Sequence, residues 1–206
     1  MPANYQKIYR KLLPTNRRLL VNKFVAKSSS ALKGKTLVVG AGMIDYSVIF
    51  TRSEVVINSD IEKYGDHISL ILDAHNLKLD DNCVDNVVAL EVLEHLATPK
   101  NAINEIYRVL KPGGTIMLSI PFLFRVHGDP SDYQRYTLFG LERLLENFHN
   151  VEIFEMGGRI SVISDLITTG AKCLIPLRMF NHAISYFDKK GSKDSTTGYF
   201  VIAKKP

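Results

Sequence analysis

The chain has 206 residues, 46% hydrophobic and 23% charged, with Gly 13 and Pro 8. That length suits one domain, and so much apolar content with so little Gly and Pro excludes a disordered or collagen-like chain. A formal charge of +5 reads as solubility rather than nucleic-acid binding, and no apolar run reaches the roughly 18 residues of a membrane span.

Cys83 and Cys173 stand far apart, which argues against a disulfide scaffold or zinc knuckle and fits a reducing cytoplasm. Residues 1–7 lack the apolar core of a signal peptide, so none is expected. The first 33 residues read as a helical cover. Residues 4–13 form one amphipathic helix and residues 16–28 another, separated by Pro14. Leu19, Leu20, Phe24 and Lys27 share a face of the second. Arg17, Arg18, Lys23 and Lys27 give that helix a basic, solvated surface.

From Lys35 onward, short apolar runs alternate with turn signals. They are 37–39, 55–57, 70–72, 87–90 and 116–120. Each is apolar throughout rather than alternating, so both faces should be buried, as in a central parallel sheet. Thr98-Pro99 opens a helix with Ala102, Ile103, Ile106, Val109 and Leu110 on one face, and 111–114 closes it. A second helix begins near Thr137, with Leu138, Leu141, Leu144, Leu145 and Phe148 inward. The runs 151–156 and 198–204 alternate more and suit an antiparallel edge pair. Residues 160–187 are apolar but interrupted by Asp165, Lys172, Arg178 and His182. They read as a packed helical insertion or, as the functional alternative, a membrane-surface or partner-facing patch. Residues 34–206 then form one α/β doubly wound domain with helices on both faces of the sheet.

Ligands of such a sheet bind beyond the strand C-termini, so the residues there are the candidates. They are Gly40-Ala41-Gly42, Asp60-Ile61, Asp73-Ala74 and Glu91, then the segment from Pro121 to His127. A Gly-x-Gly turn admits close backbone approach, and an acid one strand over can accept two ribose hydroxyl protons. A further acid can accept from an adenine amino group, so the set fits an adenosine lying across the strand ends. His127 is a candidate base for a hydroxyl acceptor, with Asp129 or Asp132 to orient it. Tyr133, Arg135 and Tyr136 suit a substrate with hydroxyl and anionic groups. Asp85 reads as a structural turn carboxylate and His95 as a structural histidine. One histidine loosely spaced from Asp129 and Asp132 is a poor metal set, so no metal is expected.

From about 35 to 148 the chain resembles the class I S-adenosylmethionine-dependent methyltransferases. The similarity is greatest to the type 11-like branch associated with glycan and polysaccharide synthesis. Gly40-Ala41-Gly42 matches the glycine motif, Asp60 the ribose acid and Asp73-Ala74 the adenine contact. Residues 84–96 match the fourth-strand motif, and 108–114 the turn before the fifth strand. The chain departs from the pattern at Val38, where an acid is usual, and at Ile44, where a third glycine is usual. The resemblance implies a Rossmann-like seven-stranded, mostly parallel sheet with an antiparallel edge strand. It implies S-adenosylmethionine as cofactor, held also by Ile61 and Glu91. The expected reaction is methyl transfer to a hydroxyl, less readily an amine, of a small molecule such as a sugar or lipid-linked glycan. His127 and Asp132 would be catalytic, in the cytoplasm or at the inner membrane surface. The alternative is a catalytically silent methyltransferase-like binding module.

Overall fold

The computed structural model describes residues 12–128, 131–170, 172–188 and 194–206. The helix expected at 4–13 lies almost wholly outside them, as does Asp129. Seven strands form one sheet: β1 (Gly34–Val39), β2 (Ser53–Asp60), β3 (Leu70–Ile71), β4 (Val84–Leu90), β5 (Leu110–Pro121), β6 (His149–Met156) and β7 (Gly198–Lys204). Their order is β3-β2-β1-β4-β5-β7-β6. β1 pairs in parallel with β2 and β4, β2 with β3, and β4 with β5. β7 runs antiparallel to both β5 and β6, so the antiparallel pair closes one edge with β6 outermost.

The apolar runs become strands because helices cover both faces. Leu37, Val87, Val88, Leu118 and Ile120 have essentially no exposed surface. Each such side chain contributes roughly 1.5–3 kcal/mol by leaving water. On one face lie α2 (Pro99–Val109), through Ala102, Ile103 and Ile106, and α3 (Leu138–Leu144), through Leu141. On the other lies α1 (Asn16–Ser28), with Leu20, Val21 and Val25 buried against Phe50 and Met117. The expected α1 face is therefore rotated. Lys27 is exposed, and Arg17, expected in solvent, is 3% exposed and shares the buried face with Leu20 and Val21.

The 160–187 segment is helical. It comprises α4 (Arg159–Gly170), a 3-10 stretch over Lys172–Phe180 and α5 (Asn181–Phe187). Asp165, which looked like an interruption, is buried at the α1 N-terminus. Its carboxylate accepts from the Asn16 and Arg17 amides at 2.8 and 2.9 Å. Those amides have no partner inside their own helix, and the helix dipole favours an anion there. The outer side of this unit exposes Ile160, Ile163, Met179, Phe180 and Phe187. Among the described residues no helix is long and apolar enough to cross a membrane.

Asp85, at the start of β4, joins three segments. It accepts from the Lys35 amide and from Lys111 Nζ, both at 2.8 Å. Lys111 and then the Lys35 amide hold its carboxyl below the usual range, against an opposing push from burial. A depressed folded-state value stabilises above the unfolded value, and the gain disappears as pH falls through the folded one. About a third of the side chain faces water, which screens the pair. Asp85→Asn should therefore cost only about 0.5–1 kcal/mol at pH 7. Urea midpoints should show the difference closing in acid; a difference that grows in acid would contradict this account.

Candidate active site

The chain reverses direction across the sheet between β1 and β4, and ligands of such sheets bind at that crevice. The β1 C-terminus turns through Gly40 (φ +72°), Ala41 and Gly42 (φ +57°). A Cβ on Gly40 would lie 2.5 Å from Val92 Cγ2, whereas one on Gly42 would meet nothing within 4 Å. Gly40 is thus required by packing, and Gly42 borders open space. Asp60, at the end of β2, accepts from the Gly42 and Ile61 amides, each at 2.7 Å. One amide per oxygen leaves a lone pair on each, so the carboxylate can also accept two hydroxyl protons. Ile61 is 63% exposed beside it, an apolar surface for a flat ring.

Asp73 closes its own turn. Its Oδ1 accepts from the His75 amide and contacts His75 Nδ1, both at 2.9 Å, and half of the carboxyl stays exposed. Ala74 is buried in the core. The structure therefore brings Gly40, Ala41, Gly42, Asp60, Ile61 and Asp73 to one rim, and their donors, acceptors and open space fit the adenosine half of S-adenosylmethionine.

Glu91 is built differently from expectation. It has left-handed φ (+58°) at the end of β4, a conformation costly for a non-glycine residue. Its carboxylate takes both Arg17 Nε and Arg17 Nη2, and accepts from Ser119 Oγ at 2.6 Å. Burial pushes the Glu91 carboxyl up, but Arg17 overrides this and holds it low. Arg17 reaches it by crossing Gly198, where a Cβ would stand 1.8 Å from Arg17 Nη1. Arg17 Nη1 also donates to the Thr197 carbonyl at 2.8 Å. The helical cover is thus pinned directly to the strand ends.

Next to Glu91, a 3-10 turn (Leu93–His95) follows β4. The loop after β5 folds onto it. The Tyr133 amide donates to the Glu94 carbonyl at 2.8 Å, and Gln134 Nε2 donates to the Leu96 carbonyl at 2.8 Å. This docking brings His127 beside Glu94 and His95. Glu94 is fully buried, and neither carboxylate oxygen has a hydrogen-bond partner. Burial, then the Glu91 charge, pushes its carboxyl up to about 8. Glu94 Oε1 lies 3.8 Å from His95 Nε2 and 3.9 Å from His127 Nε2.

Asp132 holds His127 from the other side. Its Oδ2 accepts from the His127 amide at 2.8 Å and lies 3.2 Å from His127 Nδ1. Arg135 grips both Asp132 oxygens and, before an opposing burial effect, holds the carboxyl down at about 2. Asp132 and Arg135 are therefore spent on each other, and Asp132 is a positioning group. Burial lowers the His127 pKa, so the ring is neutral at pH 7. Tyr133 is 59% exposed, while the Tyr136 hydroxyl donates to Gln134 Oε1 at 3.3 Å.

Arg17, Glu94 and His95 are the site residues that sequence reasoning missed. Glu94-His95 directly after a buried strand was the available signal. Helical spacing sets Arg17 on the face of Leu20 and Val21, but a charged side chain there reads as solvated until its partner Glu91 is seen.

Residues 44–118, a little over a third of the chain, match the family model described as a methyltransferase domain. No curated protein matches the chain at a significant level. Among solved structures, an S-adenosylmethionine-dependent methyltransferase from Archaeoglobus fulgidus superposes with TM-score 0.64 at 17% identity, covering 98% of this chain and 99% of that one. Phosphoethanolamine N-methyltransferase 2 from Haemonchus contortus, complexed with phosphomonomethylethanolamine and S-adenosylhomocysteine, gives 0.61 at 16% identity. That match covers 90% of this chain but 52% of the relative, so the chain spans about half its length. A Haloferax volcanii putative methyltransferase, complexed with the Trm112 methyltransferase activator, gives 0.61 at 19% identity over 93% of each chain. The chain therefore has the fold of these methyltransferases, and its residues 44–118 match the model of a methyltransferase domain.

Proposed function

We propose that this protein transfers a methyl group from S-adenosylmethionine to a hydroxyl of a small molecule, of the kind found in sugars and lipid-linked glycans. The observation that carries the reading is the Gly40–Gly42 turn tied to Asp60 at the reversal of strand order, with open space above Gly42. Bound there, S-adenosylmethionine supplies an electrophilic methyl on a sulfonium. This chain's residues position the reactants and exclude water, the main demands of an in-line displacement. Asp60 accepts from the ribose hydroxyls, Ile61 covers the base and Asp73 presents the exposed part of its carboxyl to it. Past the ends of β4 and β5, His127 presents its Nε2 lone pair on the acceptor side. Asp132 and Arg135 fix that loop, and exposed Tyr133 is placed to touch the acceptor.

Calorimetry with S-adenosylhomocysteine tests the reading. Binding in the micromolar range is expected, roughly −8 kcal/mol. Asp60→Ala should weaken it by about 1.5–3 kcal/mol, the loss of hydrogen bonds to a charged acceptor. No binding by the wild type at millimolar ligand would overturn the transferase. The silent-module alternative draws on Val38 and on the engagement of Glu91 by Arg17. Absence of S-adenosylhomocysteine binding would favour it, as would binding with no turnover on any hydroxyl acceptor.

A further inference from the structure

We propose that Glu94, His95 and His127 form a binding site for one divalent first-row transition metal ion of the zinc type. Among the described residues, these three side chains offer one carboxylate oxygen and two ring nitrogens, all within 4.8 Å of one another. His95 Nδ1 hydrogen-bonds the Ser131 carbonyl, and His127 Nδ1 lies 3.3 Å from the Arg125 carbonyl and 3.2 Å from Asp132 Oδ2. Each Nδ1 faces oxygen acceptors, so each carries the proton, and each Nε2 keeps a lone pair aimed at Glu94. Metal-binding histidines are arranged this way, with the far nitrogen donating to a carbonyl or carboxylate.

Glu94 supplies the independent observation. It is wholly buried, and both of its oxygens lack a hydrogen-bond partner. Protonation would not satisfy it, because the nearest ring nitrogens, at 3.8 and 3.9 Å, lie beyond hydrogen-bond reach. Among the described residues, the two arginines whose charge acts on it are already paired. Arg17 is committed to Glu91, and Arg135 to Asp132. In either protonation state two buried oxygens are left without a hydrogen-bond partner, a costly arrangement that a bound cation would relieve. Two ligands of a tetrahedral zinc-type ion, each about 2.1 Å from it, stand roughly 3.4 Å apart. The two separations from Glu94 Oε1, 3.8 and 3.9 Å, would have to close by about half an ångström.

Two imidazoles and one carboxylate favour a zinc-type ion over magnesium or calcium, which prefer oxygen ligands alone. Three protein ligands leave a coordination position open. His95 and His127 keep 20% and 28% of their side chains exposed, so that position faces outward from Glu94. On the hydroxyl-acceptor reading above, and resting on it, the acceptor oxygen would occupy that position.

The test uses the full-length chain carrying Cys173→Ser, so that the exposed thiol is not a ligand, stripped with a chelator. It is titrated with Co²⁺, followed by visible absorption, and with Zn²⁺, followed by calorimetry. One equivalent per chain should bind with the absorption of a nitrogen- and oxygen-ligated ion. Glu94→Gln keeps the side-chain volume without the charge and should weaken binding at least a hundredfold, as should His127→Ala. His149→Ala, which removes an exposed histidine on β6, should not change it. No stoichiometric binding, or binding equally strong in Glu94→Gln and His127→Ala, would overturn the site. S-adenosylhomocysteine calorimetry on the same samples separates the two proposals. Metal binding without it would keep the site and lose the transferase, and the reverse result would do the opposite.

Discussion

Arg17→Met is expected to lower the unfolding free energy by about 3–5 kcal/mol, because it leaves the Glu91 carboxylate inside the protein without its cation. Met keeps most of the volume and the straight chain, so the loss reports charge rather than a cavity. Glu91 would retain only the Ser119 hydroxyl, and the left-handed backbone at Glu91 would lose the contact that holds it. Pairing the substitution with Glu91→Gln should return most of the loss, since replacing both partners removes the unpaired charge. Urea midpoints for the two single variants and the double variant give the coupling. A double variant as unstable as the sum of the singles would mean that Arg17 acts through packing alone. Gly198→Ala should resemble Arg17→Met, since the added methyl would stand 1.8 Å from the guanidinium and 2.3 Å from the Ile120 carbonyl.

This pair also marks where sequence reading stopped. The strands were legible because residues such as Val87, Val88 and Leu118 are buried from both sides, and continuous apolar runs have few other uses. The rim at Gly40, Gly42, Asp60 and Asp73 was legible for a related reason: it must follow those runs directly. Arg17 and Asp165 were not legible. A charged residue on an amphipathic helix is solvated in most proteins, and only the tertiary partner shows otherwise. Arg17 is inside because Glu91 and the Thr197 carbonyl meet it, and Asp165 because two helix-end amides do. Sequence spacing also disfavoured a metal near His127, because its second histidine and its carboxylate lie on another loop, more than thirty residues earlier. Between β1 and β2, among the described helical elements, the chain forms a 3-10 turn, Tyr46–Val48. Asn58 explains the irregular path. Its Oδ1 accepts from the Tyr46 amide, and its Nδ2 donates to Asp45 at 2.8 Å.

His127→Ala is expected to lower turnover at least about a hundredfold, roughly 2.7 kcal/mol of transition-state stabilisation, with S-adenosylhomocysteine affinity changed by no more than a few-fold. The ring follows β5 and borders Glu94, whereas Gly42 and Asp60 follow β1 and β2, so the two measurements probe different parts of the site. A hydroxyl acceptor holds its proton far above pH 7, and an unassisted transfer must build charge on an oxonium oxygen. The neutral ring has one lone pair, on Nε2, and its Nδ1 side is fixed by Asp132 and the Arg125 carbonyl. That lone pair can take the proton itself or hold the ion that acidifies the hydroxyl; the substitution removes both. The Asp132–Arg135 clamp contacts His127 through its backbone amide as well as its ring, so the loop should keep its course without the imidazole. An unchanged urea midpoint would verify that, and added imidazole should restore part of the rate. Near-normal turnover in the variant would place the acceptor away from the β4–β5 ends and withdraw His127 from the reaction. A variant that loses S-adenosylhomocysteine binding together with stability would make His127 a residue that only holds its loop.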